Sequence, residues 1–354
     1  MNISLQDRVF SFIELGKKFK KVSNANSLSG LSNAETELYN SIKNASHYNP
    51  WFTEENCRHA IAGLAEMLDK KYIEKWVSSY KFINDDFKKT VAVIMAGNVP
   101  AVGFHDMLCV LISGKKLIAK LSSNDKLIPK AIVSCLIEIN PGWELLITIE
   151  ENIIKAFDAV IATGSNNSAR YFEYYFGKYP HIIRKNRNSL ACLSGKESGE
   201  EFQKLAEDIF RYFGLGCRNV SQLLIPKGFN ITTIFPHWER WSIIADHYKY
   251  SNNYDYNKSI FLINQIEHLD TGFLLVKKDE RIFSPISVLN YYEYDNEGLI
   301  QDYIKTNKEN IQCISSNMQL KVKEAQIVPL GNTQNPKIWD YADSVDTIKF
   351  CLSF

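Results

Sequence analysis

The sequence predicts an α/β protein built on a doubly wound parallel sheet. Strand-like and helix-like segments alternate at βαβ spacing from residue 90 onward. The strand segments are continuous apolar runs, as expected of strands buried on both faces. At 354 residues the chain exceeds one average domain and allows two.

Residues 1–85 read as helices. "RVFSFIELGKKF" places Val9, Phe10, Phe12, Ile13 and Phe19 near one face. A second amphipathic run begins at "TEENC", with Thr53 and Asn56 as capping residues. Ser27–Ser32 is a loop between them. The pattern changes at Thr90–Pro100, "TVAVIMAGNVP", an apolar strand ending in Gly and Pro. A helix over Val102–Ser113 and a strand over Lys116–Leu121 follow. Lys126–Ile139 is a helix with Pro129 in its first turns. Glu144–Glu150 and Ala156–Ser165 are strands, and the second runs into a helix over Asn166–Gly177. His181–Gly195 is a strand region with a basic turn. Glu200–Gly214 is helical, and Leu215–Pro226 ends in a strand. Further on, "SIFLIN", "TGFLLVK" and "SPISVLNYYEY" read as strands, as does the tail Asp346–Phe354. The Ser/Gly cluster "LSGKESG" marks a domain boundary near residue 195.

Composition narrows the function classes. Lys+Arg 41 against Asp+Glu 40 leaves a net charge of +1, so no global field attracts nucleic acid or an anionic membrane. No run approaches a membrane span, and no secretory leader pattern opens the chain. The 7 cysteines are scattered without a CxxC pair, which suggests neither a zinc ribbon nor a disulfide framework. A reduced, cytoplasmic protein without a bound metal is the expectation.

Four features carry chemistry. Cys217 lies in "GLGCRNVSQ" between small residues that permit close backbone approach, and Arg218 next to it would lower a thiol's pKa. Asn98 closes the first apolar strand in "MAGNVPAVG", at the sheet edge where open α/β sheets bind ligands, and its amide suits an oxyanion donor. Thr163, Gly164 and Ser165 form a strand-to-helix turn whose free N–H groups favour phosphate. Lys120 ends the second strand and is followed by Ser122 and Ser123, placed for an adenosine ribose. Each has a simpler reading, respectively a small core Cys, a turn Asn, a helix cap and a solvated Lys.

Together these segments resemble the aldehyde dehydrogenase superfamily, and within it the long-chain acyl-CoA reductase (LuxC) family. "AGNVPAVG" is similar to the superfamily's W-N-x-P segment and "IAKLSS" to its K-P-S-E cofactor segment. "ATGS" is similar to its T-G-S segment, and "GLGCRNVSQ" to its nucleophile segment. "ERIFSPISVL", with Phe283, is similar to its E-I-F-G-P segment. The five occur in the family's order across Val91–Leu289, and the C-terminal "IVPLGNTQNPKIWDYADSVDTIKF" also fits the reductase branch. The resemblance implies an aldehyde-dehydrogenase-like fold: a Rossmann-type cofactor domain over 1–195, a catalytic domain over 196–335, and a tail over 336–354 serving as an oligomerisation strand. It implies Cys217 as nucleophile and Asn98 as oxyanion donor. Lys120, Ser122, Ser123, Thr163, Gly164, Ser165 and Phe283 would bind the cofactor.

The departures are informative. The hydrolytic members carry a general-base Glu ahead of the Cys, whereas residues 174–196 contain no Asp or Glu. A water attacking a thioester needs a base, so acyl transfer to a thiol is favoured over hydrolysis. Ser123 replaces the Glu of K-P-S-E, which removes a charge that would repel a 2′-phosphate and favours NADPH, with NADH also accommodated. Arg281 stands where the family often has a ribose-binding Glu. The expected reaction is NAD(P)H-dependent reduction of a fatty acyl-CoA, or an acyl-protein donor, to the aldehyde through an acyl-cysteine, in a homo-oligomer (dimer or tetramer). Two readings stay open beside it: an acyl-phosphate reductase of the glutamyl-phosphate-reductase kind, and a non-catalytic nucleotide-binding scaffold.

Overall fold

The computed structural model describes residues 3–82 and 87–354. The chain divides into two compact units, 1–186 with 336–354, and 187–335.

The first unit opens with α1 (Leu5–Asn24), α2 (Asn33–Tyr48), α3 (Glu54–Met67) and α4 (Lys70–Ser78). Their starts are set by side-chain caps. Ser4 with Asp7 and Ser32 with Glu35 form reciprocal capping boxes, and Thr53 and Asp69 cap α3 and α4. Phe12, Leu15, Phe19, Leu38, Ile42 and Ile61 are fully buried on the inner faces of these helices.

The sheet follows: β1 (Thr90–Ile94), α5 (Phe104–Ile112), β2 (Lys116–Lys120), α6 (Leu127–Ile139), β3 (Ile147–Glu150), β4 (Ala159–Thr163), α7 (Asn166–Phe176) and β5 (His181–Arg184). Among the described residues the strands run parallel in the order β3-β2-β1-β4-β5. The chain starts in the middle, moves outward to one edge and returns to the other. That order places a topological switch point at β1, where the β1 and β4 ends diverge to opposite sides. α5 is buried almost all round, which explains why "FHDMLCVLI" carries so little polarity.

The second unit contains β6 (Asn188–Cys192), α8 (Gly199–Phe210), β7 (Val220–Pro226), α9 (Tyr248–Ile263), β8 (Leu269–Asp270), β9 (Leu275–Lys278), β10 (Val288–Tyr294), α10 (Glu297–Asn307), β11 (Ile311–Ser315) and β12 (Gln326–Val328). The sheet order is β12-β11-β6-β7-β10-β9-β8, parallel except for the β8–β9 pair. The division between units falls ahead of residue 195. The reason is β6, which pairs with β7 and β11 inside the second sheet.

Two expected strands are helices. "SIFLIN" lies in α9, where Tyr250, Tyr254, Asn257 and Phe261 are buried at helical spacing. The tail expected as a strand over Asp346–Phe354 is instead α11 (Thr347–Leu352). Asp346 caps it by accepting the Lys349 N–H at 3.0 Å, and Thr347, Ile348 and Cys351 are buried. The tail packs within the first unit. Arg184 at the end of β5 pairs with Asp106 of α5 and donates to Thr347 Oγ1 at 3.1 Å.

Candidate functional site

Parallel register places the first unit's candidate residues on one sheet edge. Ile94 is level with both Lys120 and Ala162, so three loops emerge side by side from the carboxyl ends of β1, β2 and β4. They carry Asn98, the pair Ser122–Ser123, and Thr163–Ser165. Asn98 is exposed at the loop crest.

This loop is held from the β2 side. A Cβ on Gly97 would lie 2.4 Å from Ser122 Oγ, so only glycine allows the approach. Asp125 Oδ2 accepts the Ala101 N–H at 2.7 Å. Asp125 is buried, and burial pushes its carboxyl up to about 7. Ala101 has a φ of 55°, a left-handed conformation that costs a non-glycine residue energy.

Lys120 donates to the Glu151 carbonyl at 2.5 Å, and the Glu151 carboxylate accepts from Lys126 at 2.8 Å and Lys130 at 2.6 Å. Those two ammonium groups hold the Glu151 carboxyl down to about 2. The sequence points to Lys120 at this edge but not to the other three. Glu151 comes from the end of the neighbouring strand, and only the β2–β3 pairing brings it close.

At the third loop, Ser165 Oγ accepts the Ser168 N–H at 3.1 Å and caps α7. A Cβ on Gly164 would lie 2.8 Å from Ser168 Cβ, so the strand turns into the helix with no room for a side chain. The first-turn N–H groups of Asn166 and Asn167 follow this cap and can meet a phosphate.

In the second unit, Cys217 sits on a turn three residues before β7, and Phe283 five residues before its parallel neighbour β10. Both are at one end of that sheet. The Cys217 turn is closed by Asn219. Its N–H donates to the Gly216 carbonyl at 3.0 Å, and its Oδ1 accepts the Gly216 N–H at 2.8 Å. Asn219 Nδ2 donates to the carbonyls of Asp208 at 3.1 Å and Arg211 at 2.8 Å. Ser189 Oγ donates to the Cys217 carbonyl at 3.1 Å. The Cys217 segment is thus tied to α8 and β6 through its backbone. Arg218, expected to act on the thiol, is held in a structural contact. Its guanidinium donates to the Thr333 carbonyl and to Gln326 Oε1, and so fastens the 326–333 segment to the turn. Phe283 is 66% exposed, and its carbonyl accepts from Asn290 Nδ2 at 3.0 Å.

Burial separates the cysteines. Six are buried and Cys217 is half-buried. Burial pushes the Cys135 and Cys351 thiols up to about 12, and those of Cys57, Cys109 and Cys192 in the same direction. Within the basic stretch before residue 196, Arg184 is buried and paired with Asp106. Among the described residues no group of three or more His, Cys, Asp or Glu could hold a metal ion. No helix among them is long and apolar enough to cross a membrane.

The model of the acyl-CoA reductase (LuxC) family matches residues 15–233. A long-chain acyl-protein thioester reductase from Aliivibrio fischeri is 24% identical over 208 residues, 53% of this chain and 42% of that one. The match therefore spans less than half the length of that curated relative. Aldehyde dehydrogenase 21 from Physcomitrella patens, solved with succinate, superposes with a TM-score of 0.63 at 12% identity over 99% of this chain and 89% of that chain. Glyceraldehyde-3-phosphate dehydrogenase GapN from Methanocaldococcus jannaschii, solved with NADP, superposes with a TM-score of 0.57 at 11% identity over 94% of this chain and 87% of that chain. At these identities the likeness is one of fold, and the fold is that of the aldehyde dehydrogenases.

Proposed function

The chain belongs to the acyl-CoA reductase (LuxC) family, and we propose that it reduces a fatty acyl thioester to the aldehyde through an acyl-cysteine at Cys217. The observation that carries the reading is the Cys217 turn. It holds the one cysteine of seven that is not buried, on a backbone pinned by Asn219 and Ser189 at a sheet end.

The Cys217 thiolate attacks the acyl carbonyl, and the electron pair moves onto the carbonyl oxygen. The Cys217 N–H suits that oxyanion, and the family resemblance implies the Asn98 amide as its second donor. Collapse expels the donor's thiolate and leaves the acyl group on Cys217 Sγ. Residues 174–196 contain no carboxylate that could act as the hydrolytic members' Glu does and direct water at this thioester. The same two donors serve the second reduction-level oxyanion, whose collapse returns Cys217 as thiolate and releases the aldehyde.

A nicotinamide cofactor supplies the hydride when bound. The residues present fit one. The Gly164 turn and the α7 N-terminus suit its phosphates, and Lys120, Ser122 and Ser123 suit the adenosine ribose. Phe283 is exposed and available to an aromatic face. Lys120, Lys126 and Lys130 outnumber Glu151, so their charge favours NADPH over NADH. The donor is an acyl-CoA or an acyl-protein, and the working form is a homo-oligomer.

Radiolabelled acyl-CoAs of varied length, mixed with the protein without reductant, test the nucleophile. Covalent label should appear on the wild type. Cys217→Ser should abolish labelling and aldehyde formation while cofactor binding stays intact, because a serine hydroxyl there lacks a base to ionise it. Undiminished labelling of Cys217→Ser overturns the assignment.

A further inference from the structure

Asp125 stands next to the proposed chemistry without a part in it. It is 5% exposed, and its side chain receives the Ala101 N–H. A carboxylate buried with so little compensation is costly, and a loop N–H could be met by water instead. Burial does raise its carboxyl well above the usual range. Such costs persist where the surroundings need a particular conformation. The conformation here is that of the 97–103 loop. Ala101 is left-handed at its far end. At its near end Gly97 rests on Ser122 and Asn124, with a hypothetical Cβ at 2.4 Å from Ser122 Oγ and 3.1 Å from Asn124 Cβ. Both anchor points belong to one turn, 122–125, which a bridge between Ser122 and Asp125 closes. Asn98 lies between the two points.

We propose that Asp125 is a positioning residue, whose carboxylate sets the loop presenting Asn98 and couples that loop to the Ser122–Ser123 turn. The inference rests on the oxyanion role proposed for Asn98. Asp125 touches neither acyl group nor cofactor. It fixes the direction of the Asn98 amide, and through the shared turn it makes that direction depend on the segment assigned to the adenosine ribose. A displacement of about 1 Å in a catalytic group can cost on the order of a hundredfold in rate, so a single N–H contact at the loop's end is enough to matter.

The test is a double-mutant cycle on the rate of acylation by radiolabelled palmitoyl-CoA, measured on the full chain in a single turnover. Asn98→Ala should slow acylation by about 10²–10³. Asp125→Ala should slow it by about tenfold to a hundredfold, with the half-saturating palmitoyl-CoA concentration unchanged. In the Asn98→Ala background, Asp125→Ala should cost less than about twofold, because the donor it positions is already gone. Asp125→Asn, which keeps an acceptor for the Ala101 N–H, should recover most of the rate. A merely structural role would slow both backgrounds equally. If Asp125→Ala fails to fold, Gly97→Ala takes its place, since it pushes the same loop off the same turn at the other anchor. Equal losses in both backgrounds, or no loss at all, overturn the positioning role. An unlabelled wild type, or a full rate in Asn98→Ala, overturns instead the reading of the site on which it rests.

Discussion

Cys217 and Asn98, proposed as nucleophile and oxyanion donor, are small polar residues whose placement depends on how their neighbours hold them. Asn219 illustrates this in the second unit. It is 2% exposed, and it ties the Cys217 turn to the end of α8 through the Asp208 and Arg211 carbonyls. Asp208 in turn accepts from the N–H groups of Gly331 at 2.8 Å and Thr333 at 2.9 Å. Nothing in "GLGCRNVSQ" announces this, because an asparagine two residues past a cysteine looks like any turn residue. The candidate cysteine can be picked out in the sequence, whereas the contacts that hold its turn cannot. Asp125 shows the same limit and gives a pH prediction. Burial raises its carboxyl from an ordinary 3.8 to about 7. Between those values the folded chain holds a proton that the unfolded chain has released, so this group's contribution to stability falls as pH rises from about 4 to about 7. Asp125→Asn removes the effect. Its stability relative to the wild type should therefore rise across that window, by up to roughly 1.4 kcal/mol for each pH step of one. Denaturant unfolding at pH 5 and pH 8 measures it, and parallel curves for the two proteins would refute the buried-carboxylate account.

Among the elements, those with one dominant signal are legible in the sequence. β1 and β4 are apolar except for Thr90 and Thr163 at their ends and are largely covered, as their sequences demand. Thr53 caps α3 as its sequence suggests, with the Asn56 N–H as the group it receives, whereas Ser32, read as the end of a loop, is the N-cap of α2. Legibility fails where β-branched and aromatic residues fall on a helical face. In α11 the residues Ile348, Cys351 and Leu352 follow a helical spacing behind the Asp346 cap, and that cap outweighs the strand-like composition. In α9, Tyr250, Tyr254 and Phe261 are buried along one face although "SIFLIN" alone suggests a strand. Pairing between elements is illegible in principle, and Glu151 is an example. It arrives beside Lys120 because β3 pairs with β2, 31 residues on in sequence. Glu151→Gln should release Lys126 and Lys130 toward a 2′-phosphate. The ratio of kcat/KM for NADPH over NADH should then rise by about threefold and shrink with added salt, since these charges are exposed. An unchanged ratio would remove the lysine cluster from cofactor choice.

At the scale of the whole molecule, the chain leaves its first unit at residue 186 and returns to it at 336. The Ser/Gly cluster suggests a boundary, but a loop rich in small residues need not separate domains. Here it lies inside the second unit, between β6 and α8, with Glu197 accepting the N–H groups of Ser194 at 2.6 Å and Gly195 at 3.0 Å. The returning tail is a structural part of the first unit. Ile338, Ile348 and Cys351 are fully buried in its core, and Thr347 meets the buried Arg184 at the end of β5. The strand beside Thr163 is therefore secured by a residue 163 positions beyond Arg184. Ile348→Ala should cost about 2–5 kcal/mol, the usual range for emptying a buried isoleucine site. Because the tail is buried in the core of the first unit, the loss should fall there. Hydrogen exchange on the full chain should accelerate at α5, β5 and α11, while amides of β6, β7 and β10 keep their protection. Acceleration in the second unit alone would show that the tail stabilises that unit instead, and would move the division drawn at residues 186 and 336.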